Sequence, residues 1–211
     1  RSIPGLINEL RRIGMDGVEI QWQFPDPFSA VFMNSLKYDR QMLREGYFNC
    51  TMGHYRAIQT AYNLGCSEAL FMEDDIRFLK DTAEISEIVT SLPKDYDLAT
   101  FDPTYRSWPV DQINEFLSWK DRRKVNEYWS EFDALWSCGC YALSRKGMQK
   151  MIARYNEAAD ARKRGIIRVC DHYLDRSILG RDAKLYFSRK NVCLQARMGP
   201  SNSCIDNIER R

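Results

Sequence analysis

Three consecutive acids, Glu73, Asp74 and Asp75, directly follow the apolar run at residues 69–72. Adjacent carboxylates repel one another, so a fold that gathers them usually supplies a compensating cation. Alternate residues of an extended chain point the same way, so we expect Glu73 and Asp75 to share one side and Asp74 to face the other. This spacing suits a divalent metal ion that holds a phosphorylated ligand. The alternative is a solvated acidic turn at the end of a strand.

The element that must position these acids is the run at 69–72 itself. Four consecutive apolar residues have the length of a strand that is buried on both faces, as in a largely parallel sheet. In open α/β sheets, ligands bind at the carboxyl ends of the strands. The acids therefore stand where such a sheet would place its ligand.

A helix is predicted over residues 50–64, immediately before this strand. His54, Ile58 and Ala61 are spaced i, i+4, i+7 and share one face, and Gly65 is the predicted stop. We expect His54 in the first turn of the helix, on its buried side. It would serve there either as a ligand contact or as a satisfied structural histidine.

The rest of the chain alternates helical and extended patterns, which is typical of an α/β domain. Helical spacing or cap and stop signals occur at 3–13, at 34–45 with a stop at Gly46, between Asp81 and Pro93, and at 145–155. Strand patterns occur at 18–22, 97–102, 136–144, 184–187 and 191–195. We predict one domain over 1–211, with a mixed central sheet flanked by helices and a first strand expected before Ile3.

Composition excludes several classes of protein. The 211 residues carry 31 basic and 29 acidic side chains, a net charge of +2, which argues against nucleic-acid binding. The seven cysteines show no CxxC or CxxH pairing and predict a reducing compartment. No apolar run has the length of a transmembrane segment. We expect a cytoplasmic protein, and a place at the membrane periphery stays open.

Further candidate residues occur downstream of the acids. Asp102 ends a predicted strand, where it could equally form an Asp-Pro turn. Asp171 opens a predicted helix, and capping alone would explain it. Asp206 lies in the tail after the last predicted strand, and Gly139 permits a close backbone approach where a loop enters a strand.

Four motifs, in order, resemble glycosyltransferase family 25. They are Gly53-His-Tyr-Arg-Ala-Ile-Gln-Thr-Ala, Leu70-Phe-Met-Glu-Asp-Asp-Ile, Gly139-Cys-Tyr-Ala-Leu-Ser-Arg-Lys-Gly and Asp171-His-Tyr-Leu. Members of that family carry a Ser-His at the start of a helix and an apolar strand that ends in Glu-Asp-Asp. Here Gly53 stands where the family usually has Ser. Together the motifs span roughly residues 46 to 195.

The resemblance implies a GT-A fold, a Rossmann-like sandwich that binds a UDP-sugar and Mn²⁺ or Mg²⁺ through an Asp-X-Asp type motif. Here residues 73–75 occupy that motif. A hard cation held by carboxylates stabilises the charge that develops on a diphosphate leaving group. The implied metal ligands are Asp75, Glu73 and Asp206. The implied contacts with the nucleotide sugar come from residues 73–75 and from His54, Arg56 and Gly139.

The implied activity is transfer of a hexose, glucose or galactose, to a hydroxyl of a glycan acceptor on a lipid, a polysaccharide or a protein. If the reaction inverts the anomeric centre, a carboxylate must remove the acceptor proton. Asp171 is the first candidate for this base, and Asp102 is the second. One alternative is a non-catalytic GT-A-like module that binds sugar nucleotides or glycans. Another is a nucleotidyltransferase, which usually has a Gly-rich nucleotide loop that is not visible here.

Overall fold

The computed structural model describes residues 3–15, 45–73, 76–101, 123–133, 139–159 and 179–195. Its helices are α1 (Ile3–Arg12), α2 (Glu45–Asn63), α3 (Thr82–Thr90) and α4 (Arg145–Ala159). Its strands are β1 (Glu68–Met72), β2 (Ile76–Phe78), β3 (Leu98–Thr100), β4 (Trp129–Glu131), β5 (Cys140–Ser144), β6 (Leu185–Ser188) and β7 (Cys193–Gln195). The predicted strand at 18–22 and nearly all of the predicted helix at 34–45 lie outside these ranges.

The strands form two sheets. Five strands pair in the order β1-β5-β3-β6-β4, while β2 and β7 form a separate antiparallel pair. Only β3 and β6 run parallel, and the other three pairs of the larger sheet are antiparallel. The mixed α/β architecture predicted from the sequence is confirmed. The expectation of a largely parallel sheet is wrong, because β1 pairs antiparallel with β5.

The prediction that β1 is buried on both faces is also wrong. Phe71 is buried, but Glu68 is exposed and the Leu70 side chain is 43% exposed. The cause is the position of β1 at one end of the strand order among the described strands. The hydrophobicity of a short run does not show how many strands pair with it in the sheet.

The larger sheet has a separate hydrophobic core on each face. Along β5, Tyr141 and Leu143 join the core formed with α2 and α4, while Cys140 joins the core formed with α1 and α3. On β6, Leu185 joins the core with α2 and α4, and Tyr186 joins the core with α1 and α3. Successive side chains of a strand point to opposite faces, so each strand contributes to both cores. The helices therefore flank the sheet on both sides.

α2 ends where the sequence predicts and begins earlier. Gly65 adopts a positive φ of 81°, and its N–H donates to the Tyr62 carbonyl at 3.1 Å. The Cys66 N–H donates to the Ala61 carbonyl at 3.2 Å, which completes the paired bonds of a Schellman motif. These bonds stop the helix before β1 and confirm Gly65 as its terminator.

The start of α2 corrects two predictions. The helix begins at Glu45, so Gly46 lies in its first turn and does not end a preceding helix. His54 is accordingly the tenth residue of α2, in its middle, and not in the first turn. No cap signal in the sequence is strong enough to mark this start, so a glycine that ends one helix could not be told from a glycine in the first turn of the next.

The cap of α3, the cysteines and the lengths of the helices can each be compared with the sequence. Asp81 caps α3 by accepting from the Glu84 N–H at 2.9 Å, but the Glu84 side chain pairs with Lys80 at 3.2 Å. The cap signal at Asp81 is therefore confirmed. Among the described cysteines, Cys66, Cys140 and Cys193 are free thiols. No helix in the described ranges is both long enough and apolar enough to cross a bilayer.

Candidate functional site

The acidic segment links the two sheets. β1 ends at Met72 and β2 begins at Ile76, so residues 73–75 carry the chain from the five-stranded sheet to the two-stranded one. The Glu73 N–H donates to the Gly139 carbonyl at 2.8 Å. This bond extends the pairing of β1 with β5 by one residue beyond the Met72–Cys140 pair. The backbone of Glu73 is thus fixed to the main sheet.

The far side of the segment is fixed by α1. The Phe78 N–H of β2 donates to Glu9 Oε1 at 2.8 Å, and the Phe78 carbonyl accepts from Arg12 Nη2 at 2.5 Å. Glu9 and Arg12 also form an ion pair at 2.7 Å. The hydrogen bond from Arg12 holds the pKa of the Glu9 carboxyl below its ordinary value, although burial opposes the shift. One helix therefore holds both polar backbone groups of Phe78.

α2 brings His54 to the acidic segment. The Nε2 atom of His54 lies 3.5 Å from Oε1 of Glu73, and Nδ1 lies 2.9 Å from the Tyr141 hydroxyl. The His54 side chain is 11% exposed and that of Glu73 is 27% exposed. Three sequence-predicted residues, His54, Glu73 and Gly139, are thereby adjacent at the end of β1.

Sequence reasoning missed Tyr141 as part of this site. Tyr141 is buried on β5, directly opposite Phe71 of β1, and the two rings stack with centroids 5.3 Å apart. Its strand was predicted, and alternation could have placed Tyr141 and Leu143 on one face. The identity of the facing histidine, 87 positions earlier, has no local signal in the sequence.

Of the remaining predicted site residues, Arg56 lies away from the His54 face of α2, and the others fall outside the described residues. Arg56 follows His54 by two positions on α2, and residues two apart on a helix do not share a face. The structure therefore does not bring Arg56 onto the face that carries His54. Four other candidates, together with the central acid, lie outside the described residues: Asp74, Asp75, Asp102, Asp171 and Asp206.

The described part of the site fits a hard cation in its chemistry. Glu73 offers carboxylate oxygens, the ligands that Mg²⁺ and Mn²⁺ prefer, and its side chain is partly exposed. Within the described ranges, no group of three or more His, Cys, Asp or Glu side chains is arranged to hold a metal. Any such site would need residues such as Asp75 in addition to Glu73.

Comparisons with known proteins add no family assignment. No protein-family model matches this sequence, and a comparison with curated proteins yields no significant match. The resemblance to glycosyltransferase family 25 therefore rests on the four sequence motifs. The structure defines the class of the fold as mixed α/β with a five-stranded mixed sheet.

Proposed function

We propose that this chain is a metal-dependent glycosyltransferase that transfers a hexose, glucose or galactose, from a UDP-sugar to a glycan hydroxyl. The observation that carries the proposal is the meeting of His54, Glu73 and Gly139 at the link between the two sheets. These residues come from three motifs that are separate in the sequence. Their proximity is what a shared ligand site requires, and it supports the proposal.

In this proposal Glu73 and Asp75 hold the cation, and the fold keeps Glu73 in place. A bound Mn²⁺ or Mg²⁺ supplies positive charge next to the diphosphate leaving group. The backbone bond from Glu73 to Gly139 fixes where the Glu73 side chain begins. His54 faces the same carboxylate and restricts its orientation. A carboxylate oriented before the ligand arrives loses less conformational freedom on binding.

The acceptor side of the reaction is assigned to two acids outside the described residues. Asp171 is the proposed base that removes the proton of the acceptor hydroxyl, and Asp102 is the second candidate for this role. This assignment goes with inversion at the anomeric carbon. Proton NMR of the product reports the anomeric configuration, and a retained configuration would remove the need for a base in that place.

Calorimetric titration tests the proposal directly. UDP, GDP and CMP are titrated with and without Mn²⁺, and we expect UDP to bind in the presence of the metal. Absence of metal-dependent UDP binding would overturn the proposal. If UDP binds but no UDP-hexose is ever consumed with any acceptor glycan, the non-catalytic module is the better interpretation. Release of pyrophosphate from a nucleoside triphosphate and a sugar phosphate would favour the nucleotidyltransferase.

Variants of the acidic segment sharpen this test. We expect Asp75→Ala to abolish metal-dependent UDP binding and Glu73→Gln to weaken it by at least about 10-fold, because the loss of even an outer-shell partner of a metal ligand costs about 10–100-fold. Glu127→Gln is the matched control, because Glu127 is exposed and its only described ion pair, to Lys190, spans 3.9 Å. Unchanged affinity in Asp75→Ala would show that Asp75 does not bind the metal.

A further inference from the structure

The two ring nitrogens of His54 face two chemically different groups. Nε2 faces the Glu73 carboxylate at 3.5 Å, and Nδ1 faces the Tyr141 hydroxyl at 2.9 Å. The first distance is longer than an ordinary hydrogen bond but short enough for a strong electrostatic preference. The second is a normal hydrogen-bond distance. Which nitrogen carries the proton therefore depends on both neighbours.

Glu73 favours one tautomer of the neutral ring, and the Tyr141 hydroxyl, which can donate or accept, can match it. An ionised carboxylate can only accept hydrogen bonds, so Glu73 favours a proton on Nε2. A proton on Nδ1 would instead turn the Nε2 lone pair toward a negative group. With the proton on Nε2, Nδ1 is an acceptor, and the Tyr141 hydroxyl must donate to it.

Tyr141 is rigidly held and can act as a fixed point. Its ring is 1% exposed and stacks on Phe71, which lies directly opposite it across the β1–β5 pair. On its other side β5 pairs with β3, where Thr100 is the partner of Tyr141. Two neighbouring strands thus determine where the hydroxyl lies, whereas His54 projects from a helix on the face of the sheet.

We propose that Tyr141 is a positioning residue that donates its hydroxyl proton to Nδ1 of His54, keeps the Nε2–H of that ring directed at Glu73, and so orients the Glu73 carboxylate. The second half of this chain, from His54 to a ligand-binding carboxylate, rests on the proposed function. The first half, from Tyr141 to the tautomer of His54, does not.

Long-range ¹H–¹⁵N NMR of the imidazole rings tests the first half. The chain has two histidines, His54 and His172, so a His172→Asn variant assigns the signals. At a pH well above the ordinary histidine pKa, we expect wild-type His54 to carry its proton on Nε2 and to show Nδ1 as a hydrogen-bonded acceptor. In Tyr141→Phe, the Nδ1 signal should move toward that of a nitrogen without a donor.

Tyr155→Phe is the matched control. Tyr155 is 3% exposed in the same core and its ring lies 4.7 Å from that of Tyr55 of α2, so the change removes a buried tyrosine hydroxyl next to the same helix and leaves the donor to His54 in place. We expect the His54 signals to stay unchanged in this variant. A wild-type proton on Nδ1 would overturn the proposal, and this result needs no variant to fold. An Nδ1 shift of equal size in both tyrosine variants would overturn it as well.

A double-mutant cycle tests the second half through metal-dependent UDP binding. Tyr141→Phe should weaken the affinity by about 10-fold, as the loss of an outer-shell partner does. In a His54→Asn background the same change should cause no further loss, because Tyr141 acts through His54. Additive losses would indicate a merely structural role and overturn this half. Failure of the wild type to bind UDP would overturn the proposed function, and the NMR result would then decide the role of Tyr141 alone.

Discussion

Gly147 and Gly53 both lie in helices, but they differ in whether the structure leaves room for a side chain. A Cβ atom at Gly147, in the first turn of α4, would overlap the carbonyl oxygen of Asp97 and lie 2.8 Å from its carbonyl carbon. A Cβ atom at Gly53, in the middle of α2, would meet no atom within 4 Å. Gly147 is therefore required for the contact of α4 with the start of β3, and Gly53 is not required for packing.

Alanine at the two positions should change stability in opposite directions. We expect Gly147→Ala to lower the free energy of unfolding by at least about 1–3 kcal/mol, because backbone atoms must move apart. Gly53→Ala is the control and should raise it by about 0.5–1 kcal/mol, the usual gain on replacing a helical glycine. Urea denaturation followed by circular dichroism measures both. Equal stabilities of the two variants would contradict the packing at Asp97.

The sequence could predict only some of these residue-scale features. The stop at Gly65 was predictable, because its bonds join neighbouring residues. The role of Gly147 was not, since its close neighbour is 50 positions away in the chain. His54, Glu73 and Gly139 were identified from motifs, but the donor Tyr141 was recognised only when the strand and the helix were placed face to face.

At the scale of elements, α1 secures a strand that is too short to be stable by itself. β2 has three residues and pairs only with β7 among the described strands. Glu9 and Arg12 of α1 bind the two backbone groups of Phe78. The Glu9 side chain is 14% exposed, whereas that of Arg12 is 52% exposed, so the Glu9 bond is the more sheltered of the two. The link at 73–75 therefore depends on α1 for its far anchor.

The lowered pKa of Glu9 predicts how this anchor responds to acid. A carboxyl with a lower pKa in the folded state stabilises the fold above its ordinary value of 4.5 and loses that contribution as the pH falls through the folded value. Glu9→Gln should lower stability by roughly 1–2 kcal/mol near neutral pH and flatten the acid loss. Thermal unfolding from about pH 7 to about pH 3 measures this.

Glu84→Gln is the control for Glu9, because its ion pair with Lys80 is exposed on both sides. We expect a change below about 0.5 kcal/mol for this variant. If Glu9→Gln kept the full acid dependence of the wild type, the role assigned to the α1 anchor would be wrong.

The prediction of elements from sequence succeeded where patterns are long. α1, α4, β3, β5, β6 and β7 were located, with boundaries that differ by a few residues. β2 and β4 were missed, although β3 and β7 are equally short, because no turn signal separates β2 from the acids after β1 and no alternating pattern surrounds β4. Trp129 of β4 is fully buried, yet it lies in an aromatic, polar stretch without a regular period.

At the scale of the molecule, a buried carboxylate joins three elements. Asp97, which precedes β3, is fully buried and accepts from Lys150 Nζ of α4 at 2.9 Å and from the Lys184 N–H before β6 at 3.0 Å. Burial opposes the charge of Lys150, but its bonds to Asp97 and Asp182 outweigh this effect and raise its pKa. Lys146 lies 3.7 Å from the other carboxylate oxygen.

Removing the cation of this pair should be costly. We expect Lys150→Met to lower the free energy of unfolding by about 3 kcal/mol, the lower end of the range for a broken buried pair, because Lys146 stays nearby. Lys190→Met is the control, since its pair with Glu127 is exposed, and should change stability by less than about 1 kcal/mol. Chemical denaturation compares the two. Similar effects would show that the Asp97 pair contributes little.

The pairing of β2 with β7 also has a consequence for synthesis. β2 comprises residues 76–78, while its partner comprises residues 193–195. A nascent chain emerges with its N-terminal part first, so more than a hundred further residues must be synthesised after β2 before its partner strand exists. Until then the acids at 73–75 lack part of their support. We expect this region to become ordered late during translation, after the pairing of β1 with β5.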